Sequence, residues 1–252
     1  MKQTRPLMGM PITVEIVDAS VTPADLEKVY QYFTTVDRTF STYKPESEIS
    51  CFNRGEVAER DLSPEVQEVL RLCEATKRLT GGFFDICNRK GIIDPSGLVK
   101  GWAIRNAATL IADAGFRNFY VEAGGDIQMS GKNSDGGSWR VGIRSPFRKE
   151  EIVKVVYPEG KGIATSGTYI RGQHIYSPFA KDREITEIVS LTVIGPDVYE
   201  ADRYATAIFA MGKTGIAFLE KLKGFEGYMI DATGIATMTS GFDSYTCLPH
   251  DE

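Results

Sequence analysis

His174 is the histidine of this chain best placed to act as a base, because the only other one, His250, lies close to the C-terminus, where chains are usually loose. A lone histidine is more often structural than catalytic, so its neighbours decide the reading. They are Ala164-Thr165-Ser166-Gly167-Thr168-Tyr169-Ile170-Arg171-Gly172-Gln173-His174, a run of small residues with an arginine three positions before the imidazole. Backbone amides, a guanidinium and a neutral base in one loop suit a substrate that carries phosphate.

Asp202 and Thr206 stand four apart in a stretch with helical periodicity, so their oxygens leave one face. The plain reading is an exposed aspartate beside a threonine whose hydroxyl bonds its own helix. The chemical reading is a carboxylate and a hydroxyl offered to a hard cation such as Mg²⁺, with phosphate and water completing its shell. Asp94-Pro95-Ser96-Gly97-Leu98-Val99-Lys100-Gly101-Trp102-Ala103 brings an acid, a glycine turn and a lysine to a helix entrance, where the dipole and Lys100 both favour an anion. The spacing is not that of a P-loop, and a simple capped helix start would look the same. Glu122-Ala123-Gly124-Gly125-Asp126-Ile127 follows a strand-like run and lacks the dinucleotide-binding glycine pattern, which leaves a tight turn next to a ligand. Phe40-Ser41-Thr42-Tyr43 and Thr80-Gly81-Gly82-Phe83-Phe84-Asp85 mix aromatics with small polar residues; Tyr43 and Phe84 flank turns where a flat ring could stack.

Elements that must carry these residues can be read from the periodicity. Pro11–Val17 alternates as a strand. Thr22-Pro23 opens a helix whose apolar stripe is Leu26, Val29, Tyr30, Phe33, Val36 and Phe40. Ser63-Pro64 opens another, with Val66, Val69, Leu70, Cys73 and Leu79 inward and Gly81-Gly82 as its stop. Lys100–Ala114 is an alanine-rich helix closed by Gly115. Strands follow at Phe119–Glu122, Trp139–Ile143, Ile152–Tyr157 and Ile188–Ile194. Glu200–Met211 is helical up to Gly212, a further helix runs through Leu222, and Tyr228–Asp231 with Ile235–Thr239 forms a hairpin around Ala232-Thr233-Gly234. Helices interleaved irregularly with antiparallel strands point to an α+β fold rather than a doubly wound sheet.

Composition bounds the rest. With 252 residues, 42% hydrophobic and 25% charged, the chain reads as one globular unit over residues 1–252, large enough for a deep cleft. A net charge of −5 argues against nucleic acid and acidic membrane surfaces. No apolar run is long enough for a membrane span or a secretory signal, no lipobox is visible, and the cysteines (Cys51, Cys73, Cys87, Cys247) are scattered. The expected compartment is the cytoplasm.

The order of the motifs is more specific than any one of them. Met8-Gly9, Phe40–Tyr43 with Ser47-Glu48-Ile49-Ser50 and Asn53, Thr80–Asp85, Asp94–Ala103, Glu122–Ile127, Gly162–Tyr169, His174–Pro178 and Ala201–Thr206 occur in series. That series resembles the FAD:protein FMN transferase (ApbE-type) family from residue 8 to about residue 240. The resemblance implies an α+β fold of largely antiparallel sheets and packed helices, in two lobes around a FAD cleft. It implies Mg²⁺ on the diphosphate, transfer of FMN to a threonine of an acceptor protein, typically a redox flavoprotein, and release of AMP. By motif it assigns Asp202, Thr206 and the Gly97 carbonyl to the metal, Met8, Tyr43, Phe83, Phe84, Asp85, Asp94, Lys100 and Tyr176 to FAD, and His174 to the base. Ala205 replaces an acid common in the family, as does Ser177, and Asp94-Pro95-Ser96-Gly97 replaces the commoner Asp-Leu-Gly-Gly at unchanged spacing. FAD hydrolysis by a pyrophosphatase and non-catalytic FAD binding are the alternative activities.

Overall fold

The computed structural model describes residues 1–88, 91–148, 150–167, 178–179 and 185–247. Ten strands and six α-helices appear among them: β1 (Lys2–Leu7), β2 (Met10–Ile16), α1 (Pro23–Phe40), α2 (Glu48–Asn53), α3 (Pro64–Leu79), α4 (Ser96–Asp113), β3 (Phe119–Ala123), β4 (Asp126–Ser130), β5 (Val141–Arg144), β6 (Ile152–Val156), β7 (Gly162–Gly167), β8 (Ile188–Gly195), α5 (Val198–Ala210), α6 (Gly215–Leu219), β9 (Glu226–Asp231) and β10 (Ala236–Met238). Eight of the strands form one sheet in the order β1-β2-β3-β4-β7-β8-β9-β10, and β5 with β6 makes a separate hairpin. Every pairing is antiparallel, so the α+β expectation holds.

The helices begin where local chemistry starts them. Pro23 occupies the first turn of α1, and Asp25 Oδ2 accepts from the Thr22 N–H at 3.0 Å and its hydroxyl at 2.7 Å. Ser63 Oγ accepts from the Val66 N–H at the head of α3, and Asp197 Oδ1 from the Glu200 N–H at the head of α5. The six apolar residues expected on one stripe of α1 are all buried. Leu79, expected inward on α3, is exposed instead, because the helix ends there and Thr76 takes the last buried position.

Period-two alternation buries the middle of the sheet on both faces. Ala164, Leu191, Val193 and Met229 pack under α5 and α6. Their neighbours Ile163, Ile194, Tyr228 and Ile230 face the β5–β6 hairpin and Phe242 on the other side. Towards the β1 end, Ile12, Val14 and Ile16 of β2 and Phe119, Val121 and Ala123 of β3 lie in one cluster with residues of α1, α2, α3 and α4. No helix among the described residues is long and apolar enough to cross a membrane, and the four cysteines are free thiols.

Candidate functional site

Helix α4 starts at Ser96, a turn earlier than the periodicity alone predicts, so Gly97 and Lys100 both lie in its first turns. Asp94 turns the chain into that start by accepting from the Ser96 N–H at 3.0 Å. The approach is pinned by Asn53, which donates to the Ile93 carbonyl and accepts from the Ile93 N–H, each at 2.8 Å. Asn53, a member of the motif series, thereby fixes the strand-like lead into α4.

Alongside α4 runs α5, and the contact is close because Gly101 has no side chain. A Cβ there would fall 2.6 Å from Asp202 Cβ and 2.8 Å from the Val198 carbonyl oxygen. The Gly101 N–H donates to Asp202 Oδ2 at 2.8 Å. In a regular helix that donor serves the carbonyl four residues earlier, which is Gly97. The Thr206 hydroxyl, one turn after Asp202, donates across to the Gly97 carbonyl at 3.2 Å. Asp202, Thr206 and Gly97, named separately in the sequence, are therefore one set of oxygens at the crossing of two helices. The plain reading of the pair fails on both counts: Asp202 is 2% exposed, and Thr206 bonds a neighbouring helix rather than its own.

Lys100 completes the centre. Its ammonium lies 2.6 Å from Asp126 Oδ2 and 3.5 Å from Asp202 Oδ1. Asp126 is fully buried, and its other oxygen accepts from the Thr165 N–H of β7 at 3.0 Å. Burial pushes the Asp202 carboxyl upward from the usual carboxylate range; the Lys100 charge opposes this, the Asp126 charge adds to it, the Gly101 N–H pulls back, and a direct side-chain contact with Asp126 pushes it up again. Asp126 was not among the residues assigned from sequence. Its signal was the Gly-Gly-Asp turn after β3, where Gly124 and Gly125 have φ of 60° and 96° and turn the chain straight into β4.

The remaining sequence candidates fall around this centre or apart from it. Phe84 is 2% exposed and its ring sits in the core, where a Cβ on Gly97 would lie 3.5 Å from Cε2. The ring thus backs the centre and presents no stacking face to solvent. Phe83 is partly buried and meets Phe179 edge-on, with centroids 4.8 Å apart. Asp85 is held by Lys77 at 2.8 Å and accepts from the Cys87 N–H at 3.0 Å. Tyr43 is 95% exposed. Met8 and Gly9 form the two-residue β1–β2 turn, both with positive φ (54° and 73°), an unusual backbone for a methionine. His174 and Tyr176 lie outside the described residues.

Donor chemistry fits Mg²⁺. Carboxylate, hydroxyl and peptide carbonyl are hard oxygen ligands, and Mg²⁺ keeps water and substrate phosphate in the rest of its shell. No cluster of three or more His, Cys, Asp or Glu suited to a metal occurs among the described residues.

An antiparallel α+β fold carrying a buried acid–ammonium centre between two helices is the class of protein this chain represents. A sequence model of the ApbE family matches residues 8–92 and 87–229, and the chain belongs to that family. It is 33% identical over 138 residues to a FAD:protein FMN transferase of Vibrio cholerae serotype O1, covering 51% of this chain and 41% of that protein. It is 32% identical over 151 residues to the FAD:protein FMN transferase of Escherichia coli K12, covering 56% and 43%. The chain thus spans less than half the length of these curated relatives. Among solved structures, the flavin transferase ApbE of Vibrio cholerae superposes with a TM-score of 0.86 at 22% identity, over 97% of this chain and 98% of that one. The ApbE protein of Thermotoga maritima gives 0.86 at 19% identity, over 98% and 99%. At such identities the likeness establishes the fold.

Proposed function

We propose that this chain is a Mg²⁺-dependent FAD:protein FMN transferase that moves FMN from FAD to a threonine hydroxyl of an acceptor protein and releases AMP. The observation that carries this reading is the meeting of the buried Asp202 with the half-buried Thr206, Gly97 carbonyl and Lys100 at the α4–α5 crossing. Family membership and the names of the relatives supply the substrate. Asp202, Thr206 and Gly97 hold the metal, which when bound offsets the charge of the diphosphate. Lys100, on the first turns of α4, adds an ammonium and the helix dipole to the same effect. Met8, Tyr43, Phe83, Phe84, Asp85, Asp94 and Tyr176 line the FAD site, Phe84 by seating the turn rather than by stacking. The threonine oxygen attacks the phosphorus of the FMN half, its proton passes to His174, and the bond from that phosphorus to the bridging oxygen breaks. AMP departs with that oxygen, and the acceptor keeps FMN as a phosphodiester. The acceptor we infer is a redox protein that uses the attached flavin.

Incubation with FAD, Mg²⁺ and a threonine-bearing acceptor peptide tests this, with intact mass and AMP as readouts. The peptide should gain one FMN group for each AMP formed, and chelation of the metal should stop both. FMN and AMP without any modified peptide would make the protein a FAD pyrophosphatase. Bound, unchanged FAD would make it a flavin-binding protein.

A further inference from the structure

We propose that Asp126 is a positioning residue that holds the Lys100 ammonium off Asp202 and so keeps the Asp202 carboxylate open to Mg²⁺. The inference rests on the reading of Asp202, Thr206 and Gly97 as the metal site. Among the described residues Lys100 has two acidic neighbours, and the geometry separates them: 2.6 Å to Asp126 Oδ2 against 3.5 Å to Asp202 Oδ1. Asp126 can bias the ammonium because it does not move. It is fully buried, begins β4 directly after a two-glycine turn, and has its second oxygen fixed by the Thr165 N–H at 3.0 Å.

A largely shielded ammonium beside a buried carboxylate pairs with it, because water competes little for either. With the Asp126 charge gone, Asp202 would be the other acid within reach of Lys100. A full Lys100–Asp202 pair would cancel the charge that attracts a divalent ion and occupy the oxygen that would bind it. With Asp126 present, the ammonium is drawn to Asp126 and pairs less fully with Asp202, so the Asp202 oxygens stay available to the metal.

Asp126→Asn keeps the shape and an oxygen for the Thr165 N–H while removing the charge. In FAD-saturated protein, the dissociation constant for Mn²⁺, read from free Mn²⁺ by electron paramagnetic resonance, should rise about tenfold, a fraction of the attraction between close charges at an intermediate dielectric. Adding Lys100→Met to Asp126→Asn should return Mn²⁺ affinity to near the wild-type value, because the competing ammonium is gone. Lys100→Met alone should bind Mn²⁺ at least as tightly as the wild type, which tests the same point even if Asp126→Asn does not fold. Unchanged Mn²⁺ affinity in Asp126→Asn, a double variant as weak as the single, or weakening by Lys100→Met alone would each overturn the positioning role. Failure of the wild type itself to bind Mn²⁺ would sink the metal site on which the inference stands.

Discussion

A carboxylate buried as deeply as Asp202 is favoured as an ion only by positive charge beside it, and among the described residues Lys100 is shared between Asp202 and Asp126. This makes the side chain sensitive to replacement in a defined order. Asp202→Ala should lower turnover at ordinary Mg²⁺ by about 10²-fold or more, whereas Thr206→Ala should cost about tenfold, because a neutral hydroxyl holds a hard cation more weakly than a carboxylate. Mg²⁺ titrations of the activity check this, and equal, unshifted curves for both variants would remove the two residues from the metal. The four-residue spacing of this pair was legible because helical geometry turns it into a shared face. Their partners were not. Nothing in the sequence says which acid Lys100 meets, since Asp126 reaches it from β4 while Lys100 lies on α4, and an aspartate after two glycines is common in any turn.

At the level of elements, the centre depends on how near α4 and α5 can come. Gly101→Ala would place a methyl 2.6 Å from Asp202 Cβ and 2.8 Å from the Val198 carbonyl oxygen, against backbone and a short side chain that cannot swing away. The helices must then separate, at a cost of about 1–3 kcal/mol typical of overpacking. The expected result is a lower midpoint in thermal denaturation together with a raised Mg²⁺ requirement; a loss of stability alone would show that the helix spacing does not set the centre. Long amphipathic helices were legible in the sequence through their stripes and proline starts, as α1 illustrates. Strands with weak patterns were not. β1 is polar and exposed because it closes the sheet edge, where charged residues discourage further pairing. β7 (Gly162–Gly167) is made of glycines and small residues that read as a loop, yet it occupies the sheet interior between β4 and β8. Its conformation is imposed by neighbours rather than by propensity. The predicted helix through Leu222 stops at Leu219 for want of further regular backbone.

Over the whole molecule, the far side of the sheet is tied down by Asp231 at the β9–β10 turn. Its carboxylate accepts from Lys213 at 2.7 Å and from the Thr233 and Ile235 N–H groups at 2.9 and 3.0 Å. The Lys213 ammonium, the Thr233 hydroxyl and these amides hold its pKa well below the usual carboxylate range. A depressed carboxylate stabilises the fold above the unfolded-state pKa of about 4, and that contribution is lost as the pH falls through the lower folded-state value. Asp231→Asn should therefore be less stable than the wild type in urea at pH 7, and the gap should close as the pH falls below about 4. A gap that persists undiminished in acid would assign the loss to geometry rather than charge.

The pairing order of the large sheet has a further consequence for how the molecule comes into being. β2 has β3 as its second neighbour, yet four helices separate them in sequence, and the Gly101–Asp202 bond joins residues 101 positions apart. On the ribosome the β1–β2 hairpin lacks β3 as a partner until residue 123 has emerged, and the helix bearing Asp202 follows much later. Such distant pairings close slowly. The α4–α5 crossing is therefore assembled as a late event of biosynthesis, with the closing of the sheet.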